Sequence, residues 1–233
     1  MIDFDKLLTY NPEVTHVFHG KIMECDMREA SLQISEVFHY LPQEVIDELK
    51  LLPKKERVIR VGNIQKQDPS FSDKYYTKLK EVRKHFIEVN NIADDEIISL
   101  HSDAIFINTK KQLNMIVDDI EFKSKHQWTS YIKYENIEMF YNDDNETITY
   151  KGIPDELLKI HTIGLCRHIL KMFKMIENGD DDVFAYLSAY QTKYLKGELS
   201  DNTYLPFGKV NGNKFHDNLK LLSYLCKIAI KEC

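Results

Sequence analysis

No stretch of about eighteen consecutive apolar residues occurs in the chain, so nothing in it reads as a membrane-spanning helix. The opening Met1-Ile2-Asp3-Phe4-Asp5-Lys6 carries acids where a secretory signal needs a basic stretch and then an apolar core, so a cytoplasmic protein is expected. Cysteines are few. Cys25, Cys166, Cys226 and Cys233 include no Cys-x-x-Cys pair, and three of them sit among apolar neighbours, which reads as reduced core thiols rather than a disulfide framework. A zinc site built from them lacks a tight ligand pair to nucleate it. There is no Gly-x-x-x-x-Gly-Lys loop, no Gly-x-Ser-x-Gly elbow and no His-x-x-x-His pair among the nine histidines. His161 and His168 read as helix-surface residues. Nucleotide binding by a P-loop, serine-hydrolase chemistry and helical zinc chemistry therefore have no motif to stand on.

What is present is an ordinary folded composition. Of 233 residues, 43% are apolar and 29% charged, enough for one good core or one core with a helical appendage. The net charge of −6 conceals an asymmetry. Between Lys50 and Lys84 there are eleven basic residues against four acidic ones, so the remainder is strongly acidic. A basic stretch in an acidic protein can hold phosphates while the rest stays in solution, or it can be a solvated pair of helices. Both readings stay open at this level.

Residues 14 to 26 look extended, with Met23 and Cys25 on one face and Ile22, Glu24 and Asp26 on the other. Ala30, Ile34, Val37 and Phe38 have helical spacing, so the segment Arg28–Tyr40 is expected to be a helix with Asp26 at its junction with the strand. Pro42 opens a short helix over Gln43–Leu52, and Pro53 closes it. From Asp73, a fair N-cap, Tyr76, Leu79, Val82, Phe86 and Val89 form one stripe. The runs Ile97–Leu100 and Ala104–Ile107 are separated by only His101-Ser102-Asp103, short enough for a hairpin with Asp103 at or just past its tip. An extended stretch follows over Ile120–Lys133, then a second hairpin in which Ile137–Tyr141 and Glu146–Tyr150 flank Asn142-Asp143-Asp144-Asn145. Beyond Gly152 and Pro154 the pattern is helical: a stripe from Leu165 to Ile176, a helix from Asp182 to about Lys196, a loop over Asn202–Asn213 and a last helix through Phe215, Leu222 and Ala229. The expected class is α+β, an α+β domain over 1–153 with a short basic insertion at 50–84, then a helical subdomain over 154–233.

Asp26 and Asp103 each end or follow an apolar strand. A carboxylate there is costly to bury unless it meets a cation or a donor. They are either unrelated turn acids or, if their strands pair, a site for divalent metal. The segments around them resemble the palm of family B DNA polymerases, particularly those of bacteriophages. Asp26-Met27-Arg28-Glu29-Ala30-Ser31-Leu32-Gln33-Ile34 is similar to the first palm motif, D-x-x-S-L-Y-P-S-I. Leu100-His101-Ser102-Asp103-Ala104-Ile105-Phe106 is similar to Y-x-D-T-D-S-I-F. Arg83, Phe86, Ile87 and Glu88 resemble the helix that precedes that hairpin, and Lys151-Gly152-Ile153 resembles the passage into the thumb. The resemblance spans roughly Val17 to Met175.

It implies an antiparallel palm-like sheet with packed helices and a helical thumb-like C-terminal part. It implies Mg²⁺ (or Mn²⁺) held by Asp26, Asp103 and the main-chain carbonyl of Met27, the two aspartates being the catalytic carboxylates. Arg28, Lys54, Lys55, Arg57 and Arg60 are the candidates to hold nucleotide phosphates, with nucleic acid and a nucleoside triphosphate as ligands and the host cytoplasm as the place of action if the chain is phage-encoded. Departures accompany the match. The fingers signature K-x-x-x-N-S-x-Y-G is absent, the stretch between Asp26 and Asp103 is short for fingers, and too little chain precedes Asp26 for an exonuclease domain. Ser31 stands where the family has the aromatic residue that screens out ribonucleotides, and His101 replaces the first acid of the hairpin motif, either as a third polar group near metal or as a turn residue. Three functions are therefore carried forward: a reduced palm-type nucleotidyltransferase, with or without a protein partner completing its site; a catalytically inactive palm derivative that binds nucleic acid or a protein; and an unrelated α+β interaction protein. Tyr75, Tyr76, Trp128, Tyr131 and Tyr134 either stack on bases or pack in the core.

Overall fold

The computed structural model describes residues 2–12, 17–134, 137–142, 144–145, 147–151, 171, 175, 178–180, 182–196 and 198. The chain divides into two units, Met1–Val14 with Gly20–Trp128 and Thr15–His19 with Thr129–Cys233. The architecture is mixed, an antiparallel sheet with several helices.

The first unit contains strand β1 (Leu8–Tyr10), most of β2 (Val17–Met27), helices α1 (Ala30–Val37), α2 (Gln43–Leu51), α3 (Lys54–Gln67) and α4 (Pro69–Val89), then β3 (Ile97–His101), β4 (Ala104–Ile107), β5 (Ile116–Val117) and the first part of β6 (Ile120–Tyr134). Its strand order is β1-β3-β4-β2-β6, with β5 paired to the start of β6. The β3–β4 hairpin closes on His101↔Ala104, leaving Ser102 and Asp103 as its two turn residues. β4 then pairs antiparallel with β2 so that Cys25 faces Ile105 and Asp26 faces Ala104. This register follows from the pattern of apolar residues, because a slip by one would turn every core side chain to the opposite face.

Helices cover the sheet for a simple reason. Cys25, Met27, Leu100, Ile105 and Ile107 leave the strands on one face and meet Ala30 and Ile34 of α1 and Leu79, Val82 and Phe86 of α4 in one core. A second cluster is helical: Leu32 of α1, Ile46 and Leu49 of α2, Val61 of α3 and Phe71 of α4. The basic insertion thus packs Val61 and Phe71 against α1 and α2, and α4, at 21 residues, is long enough to serve both clusters. Gln33 ties α1 to β6, since its side-chain oxygen accepts from the amide of Glu121 at 2.8 Å.

Several local expectations need correction. β1 and β5, only three and two residues long, have no alternation to betray them. α4 begins at Pro69, not near Asp73, because Pro69 fits the first helical position and the Asp68 carboxylate caps it, accepting from the amides of Ser70 at 3.0 Å and Phe71 at 3.1 Å. The buried stripe of α4 accordingly starts at Phe71 and Tyr75, and Val89 stays 41% exposed. His101 is no turn residue but the last of β3, edge-on to Phe106 and Tyr10 with ring centroids 5.5 and 6.3 Å away.

In the second unit the end of β6 pairs antiparallel with β7 (Ile137–Asn142), and β7 with β8 (Thr147–Lys151), as the second hairpin pattern predicts. The Glu138 carboxylate is buried there and accepts from the Tyr131 hydroxyl at 2.8 Å. Helix α5 (Val183–Lys196) matches the helix expected from Asp182. The expected stripe from Leu165 to Ile176, the loop over 202–213 and the last helix lie outside the described residues. No helix among the described residues is long and apolar enough to cross a membrane.

Candidate functional site

Asp26 and Asp103 come to border one cavity because β2 and β4 pair. The amide of Met27 donates to the carbonyl of Asp103 at 2.9 Å, directly beyond the Asp26↔Ala104 pair. The hairpin turn is pinned from its other side by Arg83 on α4, whose guanidinium is fully buried. It donates to the carbonyls of Ser102 at 3.0 Å, Leu7 at 2.9 Å and Lys6 at 2.6 Å. Burial pulls the guanidinium's pKa below its ordinary value, and the charge of Asp103 works against that fall. The Ser102 amide completes the clamp by donating to Leu7 at 2.7 Å.

Both aspartates line a cavity of about 210 Å³ in the first unit, together with Met27, Glu29, Ala30, Ser31, Leu32, Lys54, Arg57, Val58, Tyr75 and Ser102. Its charges are sorted. Asp26, Glu29 and Asp103 come from the strand ends and their turns, whereas Lys54 and Arg57 come from the first turn of α3. Arg57 is anchored by the Glu29 carboxylate at 3.2 Å, with only 15% of its side chain exposed. Glu29 and Ser102 are both non-glycine residues in the left-handed backbone region, at φ 49 and 44. Such strain costs of order 1 kcal/mol per residue and gathers at functional sites. The buried Tyr75 hydroxyl is held protonated, its pKa raised by burial first and by the charge of Asp103 second.

Asp26 has cations at hand. Lys123 and Lys125 on β6 both place their ammonium groups 3.8 Å from its Oδ2, and Lys125 also lies 3.5 Å from the buried carboxylate of Glu24. Glu24 and Asp26 share a face of β2, as the alternation indicated, and Lys123 and Lys125 share a face of β6.

Of the residues singled out from sequence, Asp26, Met27, Asp103, Lys54 and Arg57 line the cavity. Arg28, Lys55 and Arg60 do not; Arg28 turns to Glu121 on β6, 2.9 Å away, and the other two are exposed on α3. His101 is not among the lining residues. Of the aromatics considered, Tyr75 lines the cavity. Glu29, Lys123 and Lys125 went unrecognised. Glu29 had a signal, its place three residues after Asp26, while the lysines required knowledge that β6 neighbours β2.

Asp26 and Asp103 border the cavity, and carboxylates are the ligand type of a hard cation that keeps water and takes phosphate oxygens. No group of three His, Cys, Asp or Glu side chains able to hold a metal occurs among the described residues, so the protein share of such a site is small. A family model described as Bacteriophage PBS1 gene 130 protein matches residues 4–229. No curated protein matches the chain.

Proposed function

The chain belongs to the Bacteriophage PBS1 gene 130 protein family, and we propose, from its cavity and not from the family, that it is a phage-encoded nucleotidyltransferase-like protein. In this reading it has a reduced, palm-like sheet and a thumb-like C-terminal part, and acts on nucleic acid or nucleotides inside the host cell. One observation supports this above the rest: a single cavity has Asp26, Met27 and Asp103 on its strand side and Lys54 and Arg57 on its helix side. A triphosphate needs both. Its phosphates seek the ammonium and guanidinium groups, and the developing charge at the reacting phosphorus is neutralised by a cation held between carboxylates.

Asp26, Asp103 and the Met27 carbonyl are the groups that would hold Mg²⁺, which when bound polarises phosphate oxygens and neutralises their charge. The chain's own residues do the rest. Arg57, steadied by Glu29, and Lys54 grip phosphate. The opening turn of α1, with Ala30, Ser31 and Leu32 at the cavity, offers the positive end of a helix. Arg83 keeps the Asp103 turn fixed against the N-terminal segment. Tyr75, kept protonated, can donate to a phosphate or sugar oxygen.

A second reading is favoured by the two ammonium groups beside Asp26, which already balance its charge: a silent relative of such an enzyme that binds nucleic acid or a protein. Primer-extension and terminal-transfer assays with all four nucleotides in both sugar forms divide the two. Incorporation that disappears in Asp26→Ala supports the enzyme. The absence of any incorporation with Mg²⁺ or Mn²⁺ favours the silent protein.

A further inference from the structure

We infer that the outward face of α3 docks an acidic amphipathic helix of a partner protein. A single exposed apolar side chain needs no explanation. A group of them on a basic helix does. Of the six large apolar side chains exposed among the described residues, three fall between Leu51 and Ile59: Leu51 at 86%, Val58 at 57% and Ile59 at 55%. Leu51 ends α2, and Val58 and Ile59 lie in the second turn of α3. The inward side of α3 is taken by Arg57, held by Glu29, by the buried Val61 and by Ile64, which packs on the cluster around Val61. Residues three and four apart share a helix face, so Lys55, Ile59, Gly62, Asn63 and Lys66 form a stripe on the other side.

Gly62 sits in the middle of that stripe. Glycine weakens a helix interior relative to alanine, and a Cβ added there would meet nothing within 4 Å. Packing within the chain thus gives no reason for glycine, whereas a second helix laid across the stripe gains closer approach from it. Charge decides what fits. α3 carries five bases and one acid, Glu56, and Lys55, Arg60 and Lys66 are exposed. Aliphatic side chains among ammonium and guanidinium groups match a helix whose apolar stripe is flanked by carboxylates. A nucleic-acid strand would answer the charges but not the apolar groups. Such strands stack on aromatic rings, and none of the six exposed large apolar side chains is aromatic. A second copy presenting its own α3 would set like charges against each other. The docking uses neither Asp26 nor Asp103 and needs no metal.

The test is selection of yeast-displayed random peptides, about four helical turns long, on the full chain. Enriched peptides are expected to carry Asp or Glu beside apolar residues at helical spacing. Fluorescence anisotropy with the most enriched peptide then compares the parent with Ile59→Ser, Gly62→Gln, the double variant Lys55→Gln/Lys66→Gln and Ile116→Ser, each checked for folding by circular dichroism. Binding should weaken about tenfold in the first three. It should be unchanged in Ile116→Ser, which removes an apolar side chain 60% exposed elsewhere, and it should fall as salt rises. No enrichment, enrichment of peptides without acids, or equal binding by all five proteins overturns the docking. Displacement of the peptide by oligothymidine that binds the parent and not Ile59→Ser overturns it in favour of nucleic acid. Self-association of the parent in sedimentation velocity, lost in Ile59→Ser, overturns it in favour of a second copy.

Discussion

Met27 and Asp103 are joined through the backbone, the amide of the first donating to the carbonyl of the second at 2.9 Å. That one bond fixes the end of β2 against the turn of the β3–β4 hairpin, and it brings together two acids from distant parts of the chain. The rest of the site depends on it, because the cavity borders both residues.

The turn is held in turn by Arg83, and its removal is expected to be severe. Arg83→Met keeps the bulk but takes the guanidinium donor from the carbonyls of Lys6 and Ser102 and one of two donors from Leu7. Removing the donor of partly buried acceptors costs about 1–3 kcal/mol in all. Urea unfolding checks this, and amide exchange at Ser102 should accelerate in the variant beyond what the global loss explains. A loss under 1 kcal/mol contradicts the clamp.

Glu96 makes part of the stability depend on acid pH. Its carboxyl is drawn down to about 2 by the Lys111 ammonium first, then by the Ala93 amide and the Thr109 hydroxyl. A carboxyl lowered on folding contributes stability that is complete above its unfolded value near 4.5 and is lost as pH falls through the folded one. The difference in urea midpoint between the parent and Glu96→Gln should therefore hold steady above about pH 4.5 and vanish toward pH 2. A difference independent of pH over that window contradicts the pairing.

Asp118 and Asp119 form the two-residue turn between β5 and β6, and both have left-handed backbones, at φ 52 and 59. Asp118 is engaged by His85 at 2.9 Å. Asp119 is exposed, so Asp119→Gly should raise stability by a few tenths to about 1 kcal/mol. A lowered melting temperature contradicts that account.

Cys25 lies at the centre of the first unit's core as a free thiol, and burial first, then the charge of Glu24, push its pKa up to about 12. It should resist iodoacetamide at pH 8 in the folded protein and react once denaturant is added, as read by peptide mass spectrometry. Rapid native labelling contradicts its placement.

How far the sequence alone reaches can be judged from particular residues. The β3–β4 hairpin was legible because two unbroken apolar runs flank a gap too short for anything but a turn. β7 and β8 were legible because a polar turn separates two alternating runs. The start of α4 was not, since Pro69 reads as a breaker until Asp68 is seen capping it. Arg83 was counted as one charge in a basic stretch, yet it is wholly buried, its terminal nitrogens donating to carbonyls of Phe4, Lys6, Leu7 and Ser102. The pairing of Asp26 with Asp103 could be framed as a condition and no more. The lysines beside Asp26 depend on strand order, which no local pattern encodes. Cys25 is a buried free thiol on the strand face expected to carry it with Met23, while the other three cysteines lie outside the described residues.

The most direct test of the central claim is calorimetric titration of a nucleoside triphosphate into the folded protein, with and without Mg²⁺, for the parent, Asp103→Asn and Arg57→Met. One triphosphate per chain is predicted, dependent on Mg²⁺, and weakened at least tenfold in each variant because each removes one side of the cavity. Binding of equal strength in all three proteins, or no binding to the parent, would contradict the account.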